Sequence, residues 1–191
     1  MTIHVATRAT TGIALAAGLA FAATADETAN LIVNEEIEMV THTAAPAHVE
    51  NLDEIVSGWV FRSAETQSLQ MDDFDNPGMI FVDQGMDQWN EVAGTAGNSC
   101  ATCHEDVAVT MAGVRAVYPK WNEEAGEVRT LAMQINDCRE NQMGAEPYKY
   151  TGGEMANMEA LISVQSRGMP VDVAIDGPVQ ATWEAGKGLY Y

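Results

Sequence analysis

Ser99-Cys100-Ala101-Thr102-Cys103-His104 is the stretch on which the reading of this chain turns. Two cysteines separated by two residues and followed at once by a histidine have the C-x-x-C-H form of a covalent haem attachment site. Each thiol can add to one haem vinyl group, and His104 then stands where an imidazole nitrogen binds the iron. A zinc site would need two further well-placed ligands, and the remaining candidates, Cys138, His4, His42 and His48, are widely scattered. A thioredoxin-like dithiol would want a βαβ setting, which the flanking pattern does not supply. The cofactor expected from these residues is haem c, attached through Cys100 and Cys103, with His104 on the iron.

Working outward, Asp83 to Ala93 has helical spacing, with Met86, Trp89 and Ala93 on one face and Gly94 as a stop. Gly85 and Trp89, one turn apart just before the motif, resemble the first helix of cytochrome c domains. There the glycine admits a crossing helix and the aromatic packs in the crossing. Beyond the motif, Val107 to Gly113 reads as a short helix and Val114 to Pro119 as a loop. Val128, Leu131, Ile135 and Cys138 then share a helical face. Thr151-Gly152-Gly153-Glu154 has the form of a capping box. It opens a helix with Met155, Met158, Leu161, Ile162 and Gln165 on one side, ended by Gly168 and Pro170. This resembles the closing helix of the same domain. The expected fold is mainly α, a cytochrome c-like haem domain over residues 80–170.

The ends carry other expectations. Residues 1–25 read as a cleavable secretory signal: Arg8, an apolar run from Ile13 to Phe21, and Ala23-Thr24-Ala25 before Asp26. The run is short for a bilayer span. A periplasmic location follows, which also suits haem c and tolerates disulfides. Residues 26–79 form an N-terminal extension, with a possible helix at Glu35-Glu36-Ile37-Glu38 and lone surface histidines at His42 and His48. Asn76-Pro77-Gly78 is a turn, and Met79-Ile80-Phe81-Val82 reads as a strand or a buried extended segment. Residues 171–191 read as a linker and the first helix of a truncated second cytochrome c domain, because Gly186 to Tyr190 repeats the Gly85 to Trp89 spacing.

Lys and Arg total 9 against 28 Asp and Glu, a net charge of −19. No basic patch is available to displace counterions from a phosphate backbone, which excludes nucleic acid as a partner. The acidity suits solubility and docking to a basic protein, and equally adaptation to a salty environment.

A sixth ligand for the iron is open on spacing alone. Cys138 is unpaired once haem takes the other two thiols, and Met111, Met133, Met143, Met155 and Met158 compete with it. Thiolate would give the lower reduction potential, because it donates charge to ferric iron.

Over residues 58–191 the chain resembles the SoxA family, the cytochrome subunits of the SoxAX complex of bacterial sulfur oxidation. The resemblance rests on Glu65-Thr66-Gln67, Asp72-Asp73-Phe74 with Asn76-Pro77-Gly78, and the haem motif. It continues in Gly113-Val114, Tyr118-Pro119, Ile135-Asn136-Asp137-Cys138-Arg139, Gln165-Ser166-Arg167-Gly168-Met169-Pro170 and Asp176-Gly177-Pro178. Glu105 departs from the glycine often found after the haem histidine. The resemblance implies that Cys138 is the second axial ligand, with Arg139 beside it to favour the thiolate. It implies an L-cysteine S-thiosulfotransferase that oxidatively joins thiosulfate to a cysteine of the SoxYZ carrier protein, in a heterodimer with a SoxX-like cytochrome c subunit. A second haem, with the catalytic cysteine, is expected in a complete family member, so no catalytic residue is assigned within this chain. The rival reading is a stand-alone monohaem electron-transfer cytochrome c.

Overall fold

The computed structural model describes residues 30–190; the expected secretory segment, 1–25, lies outside the described residues. The chain starts with two antiparallel hairpins. In the first, β1 (Leu31–Val33) pairs with β2 (Ile37–Met39); in the second, β3 (His42–Ala44) pairs with β4 (Glu54–Val56). The helix expected at Glu35–Glu38 is therefore a turn and a strand. Asn34 and Glu35 both take left-handed φ, 53° and 61°, and Glu36 N–H closes the turn on Val33 O at 3.1 Å. Paired left-handed residues at the tip match the twist of a hairpin and cannot continue a right-handed helix.

Next comes α1 (Ala64–Met71), capped by Ser63 Oγ, which accepts from Thr66 N–H. Buried Gln67 donates to Trp59 O and Val60 O, while Trp59 Nε1 donates to Gln67 O. This reciprocal clamp seals a small core of Leu31, Val33, Trp59 and Val60.

Helix α2 (Met79–Asn90) starts at the residue where a strand was expected. Met79-Ile80-Phe81-Val82 is its first turn, and Ile80 and Phe81 face outward. The apolar run reads as helix because the Asn76 side chain turns the chain, accepting from Gly78 N–H at 2.9 Å, and the 3.6 period then starts four residues earlier, at Met79 rather than Asp83. The helix ends at Asn90 rather than near Gly94, which falls in the following loop; its buried positions are Gly85 and Trp89, and Met86 is exposed. Two short helices follow, α3 (Cys100–His104) and α4 (Val107–Thr110). A 3₁₀ turn at Val114–Val117 replaces the expected loop.

A third hairpin, β5 (Lys120–Asn122) with β6 (Glu127–Arg129), was not foreseen. Val128 belongs to β6, so the helical face starts only at α5 (Leu131–Cys138), which Thr130 caps by accepting from Met133 N–H. A π-helical turn, Arg139–Met143, continues α5. Helix α6 (Gly153–Val164) has Gly152 at its N-cap with no side-chain cap bond, so the capping box expected at Thr151 and Glu154 does not form. The chain closes with α7 (Gln180–Tyr190).

The main core lies where α2 crosses α6. Met155, Met158 and Leu161 of α6 are essentially fully buried against Trp89, Val107, Leu131 and Ile135. Gly85 makes the crossing possible. A Cβ there would fall inside contact distance of Asn157 O and 2.8 Å from Leu161 Cβ. This is the crossing expected from the sequence.

An ion pair ties the extension to this core. Arg167, just beyond α6, donates to Asp73 Oδ2 at 2.7 Å, and Asn34 Nδ2 donates to the same oxygen at 2.9 Å. The Arg167 guanidinium holds the Asp73 carboxyl below its ordinary value, against the opposing effect of burial.

Candidate haem site

The motif folds as one short helix because its ends are fixed. Ser99 Oγ accepts from Thr102 N–H at 3.2 Å, and Thr102 Oγ1 accepts from Ser99 N–H at 2.9 Å. On that helix Cys100, Cys103 and His104 are three and four positions apart and share a face. Helix α5 brings Cys138 to the same place. Cys100, Cys103, His104 and Cys138 all line one cavity of about 630 Å³.

The core adds apolar and aromatic wall through Trp89, Tyr118, Leu131, Ile135 and Ile162, and Lys120, Glu123, Glu124 and Arg139 are among the polar residues that complete the lining. The volume is within the range of cofactor sites, roughly 300–1,000 Å³. A largely apolar lining, with soft sulfur and imidazole donors, suits a haem. The residues present therefore fit the group the motif implies.

Of the competing methionines, Met111, Met143 and Met158 share this wall with Cys138, whereas Met133 and Met155 do not line it. His42 pairs with Glu54 at 3.2 Å, and His48 stands edge-on to Trp183; neither lines the cavity.

Trp89 anchors the histidine end. Its ring lies 5.8 Å from the His104 ring, centroid to centroid, and its Nε1 donates to Glu105 O at 3.0 Å. To present that carbonyl, Glu105 adopts φ 54° and ψ −123°, a backbone region that favours glycine. The departure noted at Glu105 thus falls where the backbone is strained.

Burial pushes the Cys100 thiol above its ordinary value, with the Arg139 guanidinium pulling the other way. Arg139 does not sit free beside Cys138. It stacks 3.6 Å over the Tyr148 ring and its Nε donates to Glu146 O. Asn136 pins the same loop from both sides, donating to Tyr148 O at 3.0 Å and accepting from Tyr148 N–H at 2.8 Å. Asp137 pairs with Arg129 of β6 at 2.9 Å. In Ile135-Asn136-Asp137-Cys138-Arg139, therefore, the polar neighbours lock the helix while Cys138 lines the cavity. The side chain that reaches the Cys138 sulfur is Gln134, whose Nε2 is 3.7 Å from Sγ. Sequence reading missed it; its only signal was a position one turn before Cys138.

A helical domain carrying C-x-x-C-H on a short helix beneath crossed terminal helices is a cytochrome c domain. Residues 84–171 match the family described as the SoxA/TsdA cytochrome c domain. The L-cysteine S-thiosulfotransferase subunit SoxA of Rhodovulum sulfidophilum is 53% identical over 162 residues, covering 84% of this chain and 56% of that protein. The SoxA subunit of Paracoccus pantotrophus is 45% identical, covering 97% of this chain and 64% of its own length. The crystal structure of SoxXA from P. pantotrophus superposes with a TM-score of 0.81, covering 85% of this chain and 63% of that one. Residues 84–171 are thus a cytochrome c domain of the SoxA/TsdA type, and most of the chain is similar to SoxA subunits. The chain spans about 56% to 64% of the length of these relatives.

Proposed function

We propose that this chain supplies a haem c electron-transfer domain to a periplasmic L-cysteine S-thiosulfotransferase. Cys100 and Cys103 hold the one haem of this chain through thioether bonds, and His104 and Cys138 ligate its iron. The observation that carries this reading is the convergence of all three cysteines and His104 on one largely apolar cavity. Bound there, haem supplies a one-electron ferric/ferrous couple. The protein's own residues orient it: Trp89 bears on His104, the Asn136 and Asp137 bonds fix the register of Cys138, and the core side chains supply the apolar part of the wall.

The reaction proposed for the whole enzyme is thiosulfate plus a carrier-protein thiol giving the carrier S-thiosulfonate, one proton and two electrons. One sulfur–sulfur bond forms and one S–H bond breaks, and the electrons leave singly to a downstream acceptor protein. A SoxX-like cytochrome c subunit and the SoxYZ carrier are the proposed partners. The P. pantotrophus relative, whose structure is titled SoxXA, and the R. sulfidophilum relative's thiosulfotransferase name support this assignment. A second haem is proposed for the complete enzyme. Among the described residues no helix is long and apolar enough to cross a membrane.

The test is a Cys100→Ser, Cys103→Ser double variant expressed with the cytochrome c maturation machinery. It should lose covalent haem staining on a denaturing gel while the native chain keeps it. Staining retained by the double variant would place the attachment elsewhere.

A further inference from the structure

Gln134 occupies a position that attachment and ligation do not account for. It lies on α5, half-buried, one turn before Cys138. Its Nε2 has two acceptors: Cys138 Sγ at 3.7 Å and Asp137 Oδ2 at 3.4 Å. Its Oε1 accepts from Asn122 Nδ2, on β5, at 3.1 Å.

The direction of this chain of bonds is determined from its far end. Ala125 N–H, which can only donate, points at Asn122 Oδ1 at 2.8 Å. That leaves Asn122 Nδ2 as the group facing Gln134, so Gln134 must turn Oε1 toward β5 and Nε2 toward the sulfur. The hairpin also holds the second acceptor, since Arg129 of β6 pairs with Asp137 at 2.9 Å. Both strands of the β5–β6 hairpin thus converge on α5, and the net effect is one amide N–H held against the Cys138 sulfur.

We propose that Gln134, oriented by Asn122, is a positioning and potential-setting residue that donates a hydrogen bond to the Cys138 thiolate when that sulfur ligates haem iron. This rests on the ligand assignment made above. An N–H donor draws electron density from a ligating sulfur, so the sulfur gives less charge to iron and the ferric state loses part of its stabilisation. The donor raises the reduction potential above that of a bare thiolate. The hairpin that places it acts as a tuning element as well as a cover for the cavity.

The experiment uses the haem-loaded chain and measures potential by spectroelectrochemistry, together with the iron–sulfur stretch by resonance Raman in H₂O and D₂O. Gln134→Leu should shift the ferric/ferrous ratio at a fixed potential by about tenfold toward ferric, a fall of about 59 mV for a one-electron couple. Gln134→Glu, which keeps the shape and removes the N–H, should shift it in the same direction. The native stretch should move in D₂O, and the Leu variant's should not; the native measurement stands even where a variant fails to fold. An unchanged potential with a stretch insensitive to D₂O would overturn the proposal and leave Gln134 as a strut between hairpin and helix. Cys138→Ala separates the two layers. If it alters the ferric spectrum while Gln134→Leu changes nothing, only the role of Gln134 fails. If Cys138→Ala leaves the spectrum unchanged, the ligand assignment fails and takes this proposal with it.

Discussion

Replacing Gly85 with alanine tests the architecture at its tightest point. On an exposed helix the change is favourable by about 1 kcal/mol, because alanine costs less backbone entropy than glycine. At Gly85 the sign should reverse. The new Cβ would overlap Asn157 O, sit 2.8 Å from Leu161 Cβ and 3.0 Å from Asn157 C. Two of those three atoms are backbone, so no rotamer change relieves the clash; α2 and α6 must move apart. That separation loosens Trp89, Met158 and Leu161, which are at most 3% exposed. Overpacking of this kind costs about 1–3 kcal/mol, and the looser contacts add to it. Set against the propensity gain, the net loss should be about 2 kcal/mol, or a fall in Tm of roughly 6 °C for a domain of this size. Gly186→Ala is the matched control: it lies in α7, where an added Cβ meets nothing within 4 Å. It should be neutral or stabilising by up to about 1 kcal/mol. Both are read by urea and thermal unfolding followed by far-UV circular dichroism on haem-loaded protein. A Gly85→Ala variant as stable as the native chain would refute the close crossing.

Glu105→Gly should stabilise the protein by about 1 kcal/mol, since relief of about 1–3 kcal/mol of backbone strain exceeds the entropic cost of glycine; urea unfolding that shows a lower midpoint would count against strain at this residue. Asp73→Asn should remove an acid-sensitive part of the stability. Because the folded carboxyl is held below its ordinary value, that part is present above about pH 4, the unfolded range, and is lost as pH falls through the lowered folded value. The native chain should therefore lose its advantage over the variant in acid, and an advantage independent of pH would exclude the Arg167 pairing as its source. Cys138→Met should raise the haem reduction potential and introduce the weak red-edge absorption band of ferric Met/His haem; neither change is expected if a methionine already holds that position.

Sequence alone determined the features that depend on residues close together in the chain. C-x-x-C-H places two thiols and an imidazole on one helical face whatever surrounds them. The Gly85–Trp89 spacing and the run Met155, Met158, Leu161, Ile162 reported a crossing because helical period shows directly in sequence. The same rule misled where a short segment's state was decided by its neighbours. Glu35–Glu38 has helix-forming residues, yet the left-handed pair Asn34 and Glu35 closes a hairpin onto β1. Val128 continues the apolar period of α5 but is held in β6 by pairing with Trp121. Only the tertiary structure decided the contacts between distant segments. Asp73 and Arg167 are 94 positions apart, and their meeting depends on where the extension lies against α6. The Ala125–Asn122–Gln134–Cys138 relay needs a hairpin and a helix in fixed register, and no periodicity encodes that. Local geometry follows from a few dihedral angles per residue, whereas a hydrogen bond between separate elements exists only after the core has fixed their distance and orientation.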